Sequence, residues 1–158
     1  MIISLHERTE AHVRTYFQRT QDVEIKAMLP SAAETVEDAL AMFYRAQEPG
    51  ASSFGRTVYA DGVYVGDVWC YGIQHEETPH AMLSYCIFDK TCWGRGVATE
   101  AVRLFLAEVR ARYAVDSVGA FAYADNAASL RVLEKNGFGC VEKVEEDGRL
   151  SEYWERVF

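Results

Sequence analysis

The sequence predicts an α/β (α+β) domain, a mixed but mostly antiparallel sheet flanked by helices. Three observations carry this. Runs rich in β-branched and aromatic residues, such as Val63 to Tyr71 and Ala81 to Phe88, are interspersed with segments of helical apolar spacing. The pairs Asp61-Gly62 and Asp147-Gly148 each separate two such runs, as two-residue hairpin turns do. The stretch from Ser84 to Thr99 passes from a strand pattern through Gly94-Arg95-Gly96 into a helix pattern.

In chain order, Ile2 to Leu5 is a short apolar first strand. Thr9 suits the cap of a helix carrying Ala11, Val13, Tyr16 and Phe17 at helical spacing. Gln21 to Pro30 is mixed, with room for one further helical turn. Ser31 and Glu34 form a capping-box signature for a helix with Val36, Leu40, Phe43 and Tyr44 that stops near Pro49-Gly50. From Phe54 the pattern changes, and Thr57 to Ala60 with Val63 to Tyr71 reads as a hairpin. His75 to Pro79 is a polar loop before the strand Ala81 to Phe88. Val97 to Tyr113 buries Val97, Ala101, Leu104, Phe105 and Val109 and turns Glu100, Arg103 and Arg110 to water. Ser117 to Ala124 is a strand, and Asp125-Asn126 opens a helix that ends at Asn136-Gly137 in a left-handed cap. Phe138 to Glu145 and Leu150 to Phe158 close the chain as a hairpin.

No linker or repeat divides the 158 residues, so residues 1–158 form a single domain with one core. The net charge of −8 argues against a nucleic-acid partner held by a broad basic face; it is compatible with a cationic substrate, although an acidic surface also serves solubility alone. Nothing approaches the roughly 20 apolar residues of a membrane span, so no membrane partner is expected. Cys70, Cys86, Cys92 and Cys140 form no C-x-x-C pair or zinc-finger spacing; no metal site is expected, and a reducing, cytoplasmic location fits. Glu7, Arg8, Glu10 and Arg14 stand where a signal peptide would need an apolar stretch.

The glycine turn is the chemically informative stretch. Glycines between a strand and a helix let the backbone turn sharply and approach a ligand without a Cβ in the way. The free N–H groups of the first helical turn then make an anion site suited to a pyrophosphate, and Arg95 can add a charge-assisted contact. A dinucleotide fingerprint is disfavoured, because Thr99 stands where the third glycine would be. No G-x-x-x-x-G-K-[ST] P-loop occurs.

Two motifs then agree. Trp93-Gly94-Arg95-Gly96-Val97-Ala98 resembles the Q/R-x-x-G-x-G/A acetyl-CoA signature of the GNAT N-acetyltransferases, with tryptophan in first place. With the following Thr99-Glu100-Ala101, it is similar to the branch of RimJ/RimL type. Asn126-Ala127-Ala128-Ser129, followed by Arg131 to Phe138, resembles the family's second motif. The order of elements from Ile2 to Phe158 is also that of the GNAT fold.

The resemblance implies acetyl-CoA as cosubstrate and an amine acceptor, either a peptide N-terminus or a small molecule, modified by direct attack in a ternary complex. It implies that the strand ending at Cys86, Ile87 and Phe88 splays from its neighbour, Gly119 to Ala124, and leaves main-chain groups for the pantetheine arm. The amides of Gly94, Arg95, Gly96, Val97, Ala98 and Thr99, after Trp93, would receive the pyrophosphate. Asn126 would lie beside the pantetheine and Ser129 near the thioester sulfur, so these two are the candidate catalytic residues. A helix cap is the plain structural role of each.

Acyl transfer needs a neutral amine, a donor to the developing oxyanion and a proton or hydrogen bond for the departing thiolate. Many family members use a tyrosine four residues before the second motif's glycine; here that position is Leu133, which leaves Ser129 as the candidate donor. Base candidates are Asp67, Glu76, Glu77, His75 and His80, with proton loss through water to Tyr85 or to a more distant carboxylate as another route. Tyr64, Trp69, Tyr71, Tyr85, Tyr123, Tyr153 and Trp154 are candidate walls of an acceptor pocket that the two early helices would cover. The alternative is a non-catalytic module that binds an acyl-CoA as a sensor, and the chain is expected to be a monomer or a homodimer.

Overall fold

A computed structural model describes residues 1–29 and 33–158. Among these residues the elements run β1 (Ile3–His6), α1 (Glu10–Arg19), α2 (Val23–Met28), α3 (Val36–Ala46), β2 (Phe54–Ala60), β3 (Val63–Gln74), β4 (His80–Ile87), a 3-10 turn (Lys90–Cys92), α4 (Val97–Tyr113), β5 (Ser117–Tyr123), α5 (Ala127–Lys135), β6 (Gly139–Glu146) and β7 (Arg149–Val157). The strands form one sheet in the order β1-β2-β3-β4-β5-β7-β6, in which only β4 and β5 run parallel. This is the mixed, mostly antiparallel sheet with flanking helices that the sequence predicts.

Local chemistry sets most boundaries. Thr9 accepts from the His12 amide and caps α1. Asp61 and Gly62 both have positive φ, as do Asp147 and Gly148, so each pair turns its hairpin in two residues. The mixed stretch after Gln21 holds the whole of α2, because Asp22 accepts from the amides of Glu24 and Ile25 and fixes the first turn. α3 begins at Val36, later than the Ser31–Glu34 signature predicts, because Thr35 accepts from the Asp38 amide and caps it; Ser31 itself lies outside the described residues. β2 starts at Phe54 rather than Thr57, since Phe54 already pairs with Cys70, and β3 continues past Tyr71 to pair Gln74 with His80.

The core lies between one face of the sheet and α4. Val97, Ala101, Val102, Phe105, Leu106 and Val109 of α4 are all buried against it. The Phe105 ring stacks on Phe54 at 5.7 Å between centroids. Truncating such a ring to alanine costs about 3–5 kcal/mol. On the opposite face, Tyr16 of α1 packs edge-on against Trp69 of β3 and Phe88 after β4. The sheet is therefore held between α4 on one side and α1 on the other, and its middle, where β4 meets β5, is left to form the site.

Candidate functional site

The parallel pair β4–β5 is short. It joins His80 to Ser117, Ala81 to Val118 and Met82 to Gly119, and beyond that the strands part. Gly66 on β3 permits the close approach that this arrangement uses. A Cβ there would lie 2.8 Å from the Cα of Ile87 and closer still to the Cys86 carbonyl oxygen, so only glycine lets the end of β4 lie where it does. A cavity of about 540 Å³ occupies the fork. Side chains alternate across a strand, and the lining comes from both faces: Leu83, Tyr85, Ala120 and Ala122 on the α4 side, and Ser84, Cys86, Phe121 and Tyr123 on the other. The cavity thus passes through the sheet.

On the α4 side the cavity meets the start of that helix. Gly94 and Gly96 take φ of +72° and +78°, in the left-handed region that favours glycine. Gly96 is the N-cap and supplies no side-chain hydrogen bond. The first helical bond runs from the Glu100 amide to the Gly96 carbonyl at 3.1 Å. The amides of Val97, Ala98 and Thr99 therefore have no partner from the helix or its cap, and all three residues line the cavity with Trp93, Gly94 and Gly96. Unpaired amides at the positive end of a 17-residue helix fit a phosphate-bearing group. The Trp93 indole N–H donates to the Ile87 carbonyl at 2.8 Å, which binds the turn to the tip of β4.

α5 begins on the same cavity. Asn126 caps it by accepting from the Ser129 amide at 3.2 Å, so the capping role of Asn126 is present. The Ser129 hydroxyl is 2.8 Å from that of Tyr85, and the Tyr85 hydroxyl also lies 2.9 Å from the Ser129 carbonyl oxygen. Tyr85 thus crosses the fork from β4 to α5. Burial holds its phenol well above the ordinary range, with the Ser129 hydrogen bond opposing. Burial likewise pushes the Cys86 thiol up to about 12, which leaves it protonated.

Cys86, Ile87, Trp93, Gly94, Gly96, Val97, Ala98, Thr99, Asn126 and Ser129 all line this one cavity, whereas Phe88 and Arg95 do not. Phe88 packs its ring between Tyr16 and Tyr64 and gives its amide to the Val65 carbonyl at 3.0 Å, so its N–H is not free for a ligand. Arg95 is exposed between the two glycines.

None of the five expected bases lines the cavity. Asp67 is 2% exposed, lies 2.9 Å from the Arg8 guanidinium and accepts from the Tyr64 hydroxyl at 2.6 Å. Burial pushes its carboxyl up to about 6 against the pull of those two partners. His80 is engaged with the Ser117 hydroxyl at 2.7 Å, at the closed end of the β4–β5 pair. His75, Glu76 and Glu77 stand exposed on the loop after β3. The carboxylate that does line the cavity is Glu146, at the end of β6. Alternation in the closing hairpin puts Glu146 on one face with Glu142 and Val144, but no local signal says that this face reaches the cavity.

Of the expected aromatic walls, Tyr71, Tyr85 and Tyr123 line the cavity, joined by Phe121. Tyr64 serves Asp67, Trp69 packs on Tyr16, Tyr153 donates to Glu155 at 2.9 Å and Trp154 packs against the core. The early element that covers the second mouth is α2 with Leu29, not the two longer helices: Ile25, Met28 and Leu29 line it. Lys90 holds the start of α2 through Asp22 and Glu24, each at 3.0 Å. Arg149 lies over the Tyr123 ring and donates to the Ala27 carbonyl at 3.0 Å, tying the end of α2 to β7.

Among the described residues no helix is long and apolar enough to cross a membrane, and no cluster of three or more His, Cys, Asp or Glu is arranged to hold a metal ion.

A family model described as an acetyltransferase (GNAT) domain matches residues 3–139. No curated protein sequence matches the chain. Solved structures of similar fold include spermidine N-acetyltransferase from Vibrio cholerae in complex with CoA and spermine, with a TM-score of 0.85 at 12% identity over 98% of this chain and 95% of that one. Mycobacterium smegmatis RimJ in complex with CoA-disulfide gives 0.82 at 16% identity, over 98% and 81%. The aminoglycoside acetyltransferase AAC(6')-Ib in complex with coenzyme A gives 0.80 at 17% identity, over 99% and 95%. At these identities the likeness is one of fold.

Proposed function

The chain belongs to the GNAT acetyltransferase family, and on that premise we propose that it transfers an acetyl group from acetyl-CoA to a primary amine within a ternary complex. The observation that carries this is the set of unpaired amides at the start of α4, facing a cavity that opens on both sides of the sheet. The bound cosubstrate supplies an acetyl group already activated as a thioester. The amides of Val97, Ala98 and Thr99, with those of the glycine turn, would hold its diphosphate. The parted edges of β4 and β5 would take the pantetheine arm, with Asn126 beside it.

Ser129 would donate a hydrogen bond to the departing sulfur, in the role that Leu133 cannot fill. The amine would come from the mouth lined by α2, Tyr71, Phe121 and Glu146, where the carboxylate attracts its protonated form and the apolar walls favour the neutral one. The tryptophan-led Trp93 motif supports a place in the RimJ/RimL-like branch and so a peptide N-terminus as acceptor. The acidic chain and the single carboxylate at the mouth suit a small polyamine equally. Four free cysteines fit work in the reducing cytoplasm.

Calorimetric titration with CoA, followed by a panel of amines and N-terminal peptides assayed for thiol release, tests the proposal. Micromolar CoA binding and turnover with at least one amine are expected. No CoA binding at millimolar ligand would overturn it, and binding without release from any amine would leave only the acyl-CoA-sensor reading.

A further inference from the structure

We infer that Tyr85 is the positioning residue that aims the Ser129 hydroxyl proton at the sulfur of bound CoA. This rests on the proposed acetyltransferase site and adds to it a partner from the far strand of the fork.

The geometry carries the inference. A tyrosine hydroxyl has one proton to give and can also accept. Tyr85 stands 2.9 Å from the Ser129 carbonyl oxygen and 2.8 Å from its hydroxyl, so two patterns are open to the pair. In the first, Tyr85 donates to the carbonyl and accepts the Ser129 proton, which then points at β4 and away from any ligand. In the second, Tyr85 donates to Ser129 Oγ, which makes that oxygen an acceptor and frees its own proton to point into the cavity. A sulfur carrying developing negative charge favours the second pattern, because a hydrogen bond to a charged acceptor is about twice as strong as a neutral one. The change needs only the rotation of two hydroxyls. No proton leaves Tyr85, and its burial keeps it in the donating form throughout the working pH range.

The backbone half of the arrangement is independently fixed. Asn126 Oδ1 holds the Ser129 amide at 3.2 Å, so the residue cannot swing when its hydroxyl reorients. Leu133 occupies the position from which many family members supply a tyrosine hydroxyl, and it has none to give. The Tyr85 hydroxyl instead meets Ser129 from β4.

The test reads the thiol of bound CoA, which needs neither an acceptor nor turnover. The ultraviolet absorbance of the thiolate, followed against pH for CoA bound to wild type, Y85F, S129A and Y85F/S129A, gives its pKa in each complex. S129A should raise that pKa by about one unit relative to wild type, the size of one hydrogen bond to a charged group, and Y85F should raise it by a smaller but resolvable amount, because the Ser129 hydroxyl remains but loses the donor that polarises it. The double variant should match S129A alone, since residues that act as one unit are not additive. CoA affinity in Y85F should stay within about threefold of wild type, because the ring and its packing remain. A wild-type titration curve in Y85F, an additive double variant, or a Y85F protein that binds CoA tenfold more weakly would each overturn the inference while leaving the acetyltransferase reading standing. Failure of wild type to bind CoA would remove both.

Discussion

Two helices begin on the rim of the same cavity, and they finish their first turns in different ways. α5 is capped from within: the Asn126 side-chain oxygen accepts from the Ser129 amide. α4 is preceded by a left-handed glycine with no side chain to give, and its first three amides have no partner in helix or cap. Every helix faces the same shortage of acceptors at its start. A side-chain cap resolves it within the protein and contributes to stability. An uncapped start, turned toward a cavity, leaves the shortage for a ligand to resolve. The contrast is between a helix start completed within the protein and one left open toward the cavity.

The sharpest way to break this contrast is to put a carboxylate at the uncapped start. G96D, at a left-handed position that aspartate tolerates better than most residues, sets a negative charge where the diphosphate is expected. CoA affinity measured by calorimetry should fall roughly 100-fold, about 2.7 kcal/mol. An affinity within threefold of wild type would mean that these amides do not hold the ligand.

G66A acts one step further away, on the strand that shapes the fork. Its new Cβ meets the backbone of Cys86 and Ile87, which cannot yield as a flexible side chain would. Overpacking of this kind should cost about 2 kcal/mol in chemical denaturation and weaken CoA binding with it. Full stability with reduced affinity would show that the fork deforms without cost to the fold.

N126A is the smallest and the most discriminating change. Loss of the cap should lower stability by about 1 kcal/mol, and the accompanying change in CoA affinity measures what Asn126, beside the proposed pantetheine path, gives the ligand. A tenfold loss of affinity would show that the Asn126 amide also engages the ligand, and the two helix starts would then differ less than their caps suggest.

Much of this was legible in the residues. Asp61-Gly62, Asp147-Gly148 and Gly137 mark turns whose backbone few other residues adopt, and the structure places a turn at each. Val97 to Tyr113 is long and strongly periodic, and it forms one helix with those bounds. The parting of β4 from β5, which only the family resemblance implied, agrees with the three-pair register. What the residues did not reveal depends on distance along the chain. Tyr85 and Ser129 are 44 positions apart and meet only because β4 and α5 flank one gap. Asp67 was a candidate base because its strand pattern says nothing of Arg8, 59 positions earlier, which reaches across to pair with it (67 − 8). Glu146 and Phe121 sit on strands whose alternation gives two faces but not which of them borders a void. The shortness of α2 hid it, since six residues give too little periodicity to read and only Asp22 marks its start.

A continuous sheet separates whatever lies on its two sides, and a molecule on one must go round an edge to reach the other. Here three residue pairs close the seam between β4 and β5, and beyond them the partition has a slot. Reactants of unrelated shape can then arrive by separate doorways and meet in the middle of the protein. The walls of one doorway, α2 and the β6–β7 hairpin, are free to be remodelled for a new guest without disturbing the glycine turn proposed to receive the other.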